Sequence, residues 1–137
     1  MPKRRDLMKL PVLFAPMAMF AAKAPGLKNE TLAEAQAKVT KEEFGDLKIY
    51  FEGSTAQLAS MTAGSLKLKP GMSPHPPHSH PEEEFLQVAE GTGEITVDGK
   101  MSKVGPGSIM YSAANTLHGI KNTGKSPLLF FFYKWKA

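Results

Sequence analysis

From about residue 47 onward the chain is a succession of short apolar stretches, each cut off by glycine or proline. Such punctuation rules out long helices and favours strands joined by tight turns. The spacing predicts strands at Leu47 to Phe51, Gln57 to Leu68, Glu84 to Ala89 and Gly93 to Val97. Further strands are predicted at Lys100 to Val104, Ser108 to Tyr111, His118 to Lys121 and Pro127 to Trp135. Between two of them stands Asp98-Gly99, a dipeptide that suits a two-residue hairpin turn because both positions accept left-handed backbone. Strands at this interval indicate an antiparallel sandwich or barrel. Upstream, residues 30–39 are the one good helix candidate, with Thr31-Leu-Ala-Glu34 read as a capping box before an alanine-rich run. The 137 residues suit one folded domain.

The last predicted strand departs from the alternation expected of a half-buried strand. Leu128-Leu-Phe-Phe-Phe-Tyr-Lys-Trp135 is apolar on both faces. Its outer face needs a cover, either a partner subunit or the N-terminal arm, and the favoured expectation is a homodimer.

Charge is unevenly placed. Of 17 basic and 13 acidic residues, five and one fall within residues 1–24, which leaves twelve of each in the remainder. The basic balance therefore belongs to the N-terminal segment, and nothing favours a nucleic-acid partner. That segment has the layout of an export signal. Lys3-Arg4-Arg5-Asp6-Leu7-Met8-Lys9 resembles a twin-arginine motif, Leu10 to Ala22 is a short apolar run, and Ala22-Lys23-Ala24 is a small-x-small cleavage site. The run is too short, and with Pro11 and Pro16 too broken, to serve as a permanent membrane anchor. The expected organisation is a signal peptide at 1–24, an N-terminal arm with its helix at 25–46, and a β-barrel domain at 47–137. The mature chain is expected outside the cytoplasm, periplasmic or extracellular, and with no cysteine it needs no disulfide there.

All four histidines lie in two short stretches, His75, His78 and His80 in one and His118 in the other. His78 and His80, two apart, share a face if the segment is extended, and Glu84 has the same parity. His118 stands on a later strand and can approach from across a barrel. Three imidazoles and a carboxylate suit one divalent transition metal: Fe, Mn, Ni, Cu or Zn. His75 lies outside this pattern on a proline-rich approach and is expected at the surface. Glu82 and Glu83 are expected in solvent, and Asn122 is expected to fix a turn. Tyr111, Phe85 and Met110 are candidates for lining a pocket.

These motifs resemble those of the cupin superfamily. Gly71, His78-Ser-His80, Glu84 and Gly91 stand as in its first motif, with one extra residue between Gly71 and His78. Gly107, Ala113-Ala-Asn115, His118 and Asn122 stand as in its second, with Ala113 and Asn115 where Pro and Gly are usual. Asn tolerates the left-handed backbone that Gly would supply. The resemblance covers roughly residues 47–135 and is nearest to small, single-domain exported cupins. It implies an all-β fold, a double-stranded β-helix or jelly-roll barrel, and a metal held by His78, His80, Glu84 and His118.

That fold hosts unrelated reactions. One absence narrows them: the only arginines are Arg4 and Arg5, so the mature chain has no guanidinium to clamp a carboxylate or phosphate. This counts against sugar-phosphate isomerase and oxalate-type decarboxylase readings and favours an apolar, aromatic pocket. The first expectation is a metal-dependent dioxygenase for a small phenolic or enolic molecule, with Glu84 as ligand or proton acceptor. The others are a non-catalytic metal- or small-ligand-binding protein of the cell envelope, and a metal-assisted isomerase or lyase.

Overall fold

The computed structural model describes residues 26–137. The stretch expected to act as an export signal lies outside the described residues. The described chain forms strands β1 (Lys38–Glu42), β2 (Gly45–Gly53), β3 (Ser60–Leu68), β4 (Glu83–Glu90) and β5 (Gly93–Val97). These are followed by β6 (Lys100–Val104), β7 (Ile109–Ser112), β8 (His118–Asn122) and β9 (Leu128–Lys136). A six-stranded sheet runs β1-β2-β3-β9-β4-β7, and a three-stranded sheet runs β6-β5-β8. Every named pairing is antiparallel. The fold is the all-β jelly roll that the strand rhythm indicates. No helix among the described residues is long and apolar enough to cross a membrane.

The helix expected at 30–39 does not form. A single 3-10 turn, Glu34–Gln36, is followed directly by β1. The physical reason is length and partnership: an isolated helix this short is marginal in water, and the segment has no apolar stripe to bury. Its carboxylate has another use, since Glu34 Oε2 pairs with Lys48 Nζ on β2 at 2.6 Å. The turn is instead closed by the Gln36 side chain, whose Oε1 accepts from the Ala33 N–H at 2.8 Å. All five side chains of β1 are exposed, so main-chain pairing with β2 is what places this strand.

The hairpin between β5 and β6 turns where expected. Asp98 and Gly99 both have left-handed backbone, with φ of 51° and 80°. The core lies between the sheets. Leu66, Leu68, Leu86, Val88, Leu128, Phe130 and Phe132 enter it from the large sheet, and Ile95 and Ile120 from the small one. On β9, Leu128, Phe130 and Phe132 are buried while Leu129, Phe131, Tyr133 and Trp135 face outward and are half-buried. Gly64, opposite Phe132, makes this packing possible: a Cβ there would lie 2.6 Å from the Phe132 ring.

The outer face of the large sheet carries an aromatic stripe. Phe85 is the cross-strand partner of both Tyr111 and Tyr133, and its ring lies 5.4 Å from that of Tyr111 and 5.5 Å from that of Trp135. Phe85, Tyr111 and Ile109 are 44%, 48% and 63% exposed, so the stripe is open to solvent in the single chain.

Candidate metal centre

Residues 69–82 join β3 to β4 and carry five prolines, Pro70, Pro74, Pro76, Pro77 and Pro81, which deny the segment a continuous hydrogen-bond ladder. It is nevertheless sewn to β8. The Gly71 N–H donates to the Asn122 carbonyl at 2.9 Å, and the Asn122 N–H donates to that of Met72 at 3.0 Å. Further along, His78 and His118 exchange both main-chain bonds at 2.9 Å. The Asn115 N–H then donates to the His80 carbonyl at 2.7 Å. Asn115 has φ of 60°, the left-handed backbone expected of it. Gly119 allows the close approach, because a Cβ there would press on Pro77 at 3.2 Å.

This stitching brings His78, His80 and His118 together, with their ligating atoms within 4.8 Å of one another. The ring centroids are 4.8–5.2 Å apart, and the rings stand steeply to one another at 68–87°. Glu84, the second residue of β4, completes the cluster: its Oε1 lies 3.1 Å from Nε2 of His80 and 3.1 Å from Nε2 of His118.

The proton positions favour a cation here. The Nδ1 of His118 is 2.9 Å from the Thr116 carbonyl, and that of His80 is 3.1 Å from the Glu82 carbonyl. A carbonyl only accepts, so each Nδ1 carries the hydrogen and each Nε2 of a neutral ring presents a lone pair. Two such nitrogens then face one carboxylate oxygen, which is repulsive unless a proton or a metal ion stands between them. The His118 Nε2 is buried, and the Glu84 oxygen beside it misses hydrogen-bond geometry, so the nitrogen has no proper hydrogen bond among the described residues. Imidazole nitrogens and a carboxylate oxygen are donors that first-row transition metals take, and Glu84 Oε1 stands 3.1 Å from Nε2 of both His80 and His118. Hydrogen-bonded outer nitrogens are also how metal-ligating imidazoles are held in orientation. The residues present therefore fit a transition metal.

The electrostatics follow the same geometry. The Glu84 carboxylate beside His118 holds its imidazolium above the usual histidine range, against the effect of burial. Burial would push the Glu84 carboxyl up, but the approach of His118 and the charges of His118, His80 and Lys134 outweigh it and hold the group low. Burial, then repulsion from His75, His118 and His80, pushes His78 down to about 4. It is neutral, and so able to ligate, through the whole physiological range.

The centre opens on a cavity of about 260 Å³ between the sheets, lined by Leu47, Ile49, Leu66, Met110 and Phe132 among others. This is near the small end of small-molecule sites. Strand register sets a cross-strand row of polar residues, Glu52 on β2, Thr62 on β3, Lys134 on β9, Glu84 on β4 and Ser112 on β7, of which all but Ser112 line the cavity. Ser112 is buried, with its Oγ 3.1 Å from the His118 Nδ1.

Other expected residues fall as follows. Met110 lines the cavity, but Phe85 and Tyr111 do not: the alternation along β4 and β7 turns both to the outer face. His75 is exposed, yet it reaches the cavity rim and stacks on His78 with ring centroids 3.7 Å apart. Glu82 and Glu83 do not reach the cavity; Glu83 accepts from the Tyr111 hydroxyl at 2.6 Å. Asn122 fixes a turn. Its Nδ2 donates to the Leu68 and Ser126 carbonyls, and its Oδ1 accepts from the Gly124 N–H. Glu52, Thr62, Lys134 and Ser112 are the residues of this row that sequence reasoning missed. Only a correct pairing of β9 with β3 and β4 would have found Lys134.

A model of the cupin domain matches residues 64–133. No curated protein matches the chain. Among solved structures, an RmlC-like cupin from Shewanella frigidimarina superposes with a TM-score of 0.66 at 15% identity, covering 81% of this chain and 93% of its own. A predicted oxalate decarboxylase from Thermotoga maritima gives 0.66 at 19% identity, covering 79% of this chain and 100% of its own. The polyketide cyclase RemF from Streptomyces resistomycificus gives 0.60 at 16% identity, covering 79% of this chain and 80% of its own.

Proposed function

The chain belongs to the cupin family, and from that premise we propose that it is a metal-dependent oxidoreductase of the dioxygenase type, acting on a small organic molecule. One divalent transition metal is held by His78, His80, Glu84 and His118. The observation that carries this reading is the convergence on Glu84 Oε1, 3.1 Å from ring nitrogens of both His80 and His118, beside a cavity with apolar walls.

Such an ion supplies Lewis acidity and, where it is a redox metal, a path for electrons between substrate and dioxygen. The chain's own residues do the rest. The Thr116 and Glu82 carbonyls fix the tautomers of His118 and His80, so that both Nε2 atoms stay aimed. Glu84 serves as ligand or, on partial release, as the base that takes a proton from substrate at its carboxylate. The apolar walls displace water from the bound molecule and strengthen each charge interaction within.

The fold does not choose the reaction, since solved structures of similar shape include a predicted oxalate decarboxylase and a polyketide cyclase. A second reading, an isomerase or lyase using the metal only as a Lewis acid, draws on Lys134. An ammonium beside Glu84 in the cross-strand row suits charge that develops on an enolate. Metal analysis of protein isolated from its own host, with oxygen consumption on phenolic and enolic substrates, decides between them. A redox metal with oxygen uptake supports the dioxygenase; zinc alone without uptake rejects it. One-to-one metal with no turnover of a broad metabolite panel would leave a binding protein of the cell envelope. For the site itself, His80→Ala and His118→Ala should each lose stoichiometric metal while remaining folded, and His75→Ala should keep it. Full metal in both of the first two variants would overturn the ligand set.

Two further parts of the reading rest on sequence. The basic, apolar segment at 1–24 is an export signal, so the protein works in the periplasm or outside the cell. The aromatic outer face of the large sheet is covered by a second copy of the chain, as a homodimer.

A further inference from the structure

The cavity is not purely apolar, and the one ammonium among the described residues that line it indicates what it takes. Lys134 stands on β9, cross-strand from Glu84 on one side and Thr62 on the other, and its side chain lines the cavity. Among the described residues no carboxylate oxygen lies within salt-bridge distance of its Nζ. Its ammonium stands over the face of Phe132, 5.8 Å from the ring centroid. Glu84, the adjacent carboxylate, is engaged by His80 and His118 instead. Among the described residues, the cavity therefore holds a cation outside any ion pair, in a pocket also lined by Leu47, Ile49, Leu66 and Met110.

Charge arithmetic points the same way. This step rests on the metal reading above. A divalent ion with Glu84 as ligand carries one net positive charge, and Lys134 adds a second. Glu52, at the far end of the row, removes one. A ligand with one negative charge leaves the rim neutral, whereas a neutral ligand leaves a cation partly desolvated against apolar surface, which is costly. We propose that the cavity binds small organic monoanions with an apolar or aromatic body, and that Lys134 selects them by donating to an anionic oxygen. The size of the cavity, about 260 Å³, limits the body to roughly a single substituted ring or a short branched chain. Lys134 is a specificity residue here, and it replaces in function the arginine clamp that the mature sequence lacks.

The test uses zinc-loaded full-length protein, salicylate as the anionic probe and salicylamide as its neutral counterpart, with affinities read by calorimetry. Wild type should prefer salicylate by about tenfold or more, as expected of a charge-assisted hydrogen bond. Lys134→Met retains the aliphatic stem against Phe132. It should weaken salicylate by about the same factor, leave salicylamide within about twofold, and keep one zinc per chain. Lys134→Arg should restore the preference. Equal affinity for the two probes, binding of neither, or a salicylate affinity indifferent to Lys134→Met would overturn the proposal. The metal reading fails separately: protein that holds no zinc yet discriminates the probes through Lys134 would reject the metal and keep this inference.

Discussion

His78 and His118 face each other across one backbone bridge, yet their surroundings act on them in opposite directions. The Glu84 carboxylate raises His118, so its contribution to the metal-free fold is complete below the ordinary value of 6.5 and is lost as pH climbs through the raised one. Glu84, held low, contributes above 4.5 and loses that contribution as pH falls through its lowered value. His78 is pushed down to about 4, so between 6.5 and 4 the unfolded chain takes up a proton that the folded chain refuses. Stability therefore drains through His78 across that window. In chelator-treated protein, wild type should lose on the order of 1 kcal/mol more than His78→Asn between pH 7 and pH 5, after allowance for solvent screening. Denaturant midpoints at the two pH values measure the difference, and equal losses would show that His78 is not desolvated. The meeting of His78, His80 and His118 was legible only through the resemblance of the two motifs to the cupin pattern, since spacing alone does not bring His118 to the other two. Lys134 was not legible: its place opposite Glu84 depends on which strands β9 pairs with, and β9 lies far from both partners along the chain.

Strands were more readable than their ends. β5, β6 and the Asp98-Gly99 turn follow from local chemistry alone, because left-handed backbone at both turn positions is a demand few dipeptides meet. The failed helix at 30–39 shows the limit of the same reasoning. Its alanines have helical preference, but β1 claims Lys38 and Val39 for pairing with β2, and the residues left are too few for a helix stable without packing. Asn122 shows how an element can be locked by one side chain. It closes β8, is fully buried, and satisfies the end of β3 and the following turn. Asn122→Ala should cost about 2–4 kcal/mol, since it deletes these bonds and strands buried carbonyls without donors. Thermal or chemical unfolding reads the loss, and a cost below about 0.5 kcal/mol would mean that water replaces the amide.

For the whole molecule, the sheets differ in what they leave uncovered. The outer face of the large sheet exposes Phe85, Tyr111 and Ile109 beside half-buried Tyr133 and Trp135. If a second copy covers it, Phe85→Asp combined with Ile109→Asp should convert a dimer to a monomer in sedimentation without changing metal content, because both side chains point away from the cavity. A wild-type monomer at micromolar concentration would reject the homodimer. The two motifs also belong to different layers, Glu84 to the large sheet and His118 to the small one. An ion gripped by both is a rivet through the seam. Its binding free energy belongs to the native state alone, so it is added to the stability of the fold. A chain loaded with such an ion would resist separation of its two sheets beside the cavity, and release of the ion and loosening of the sheets there would become one event.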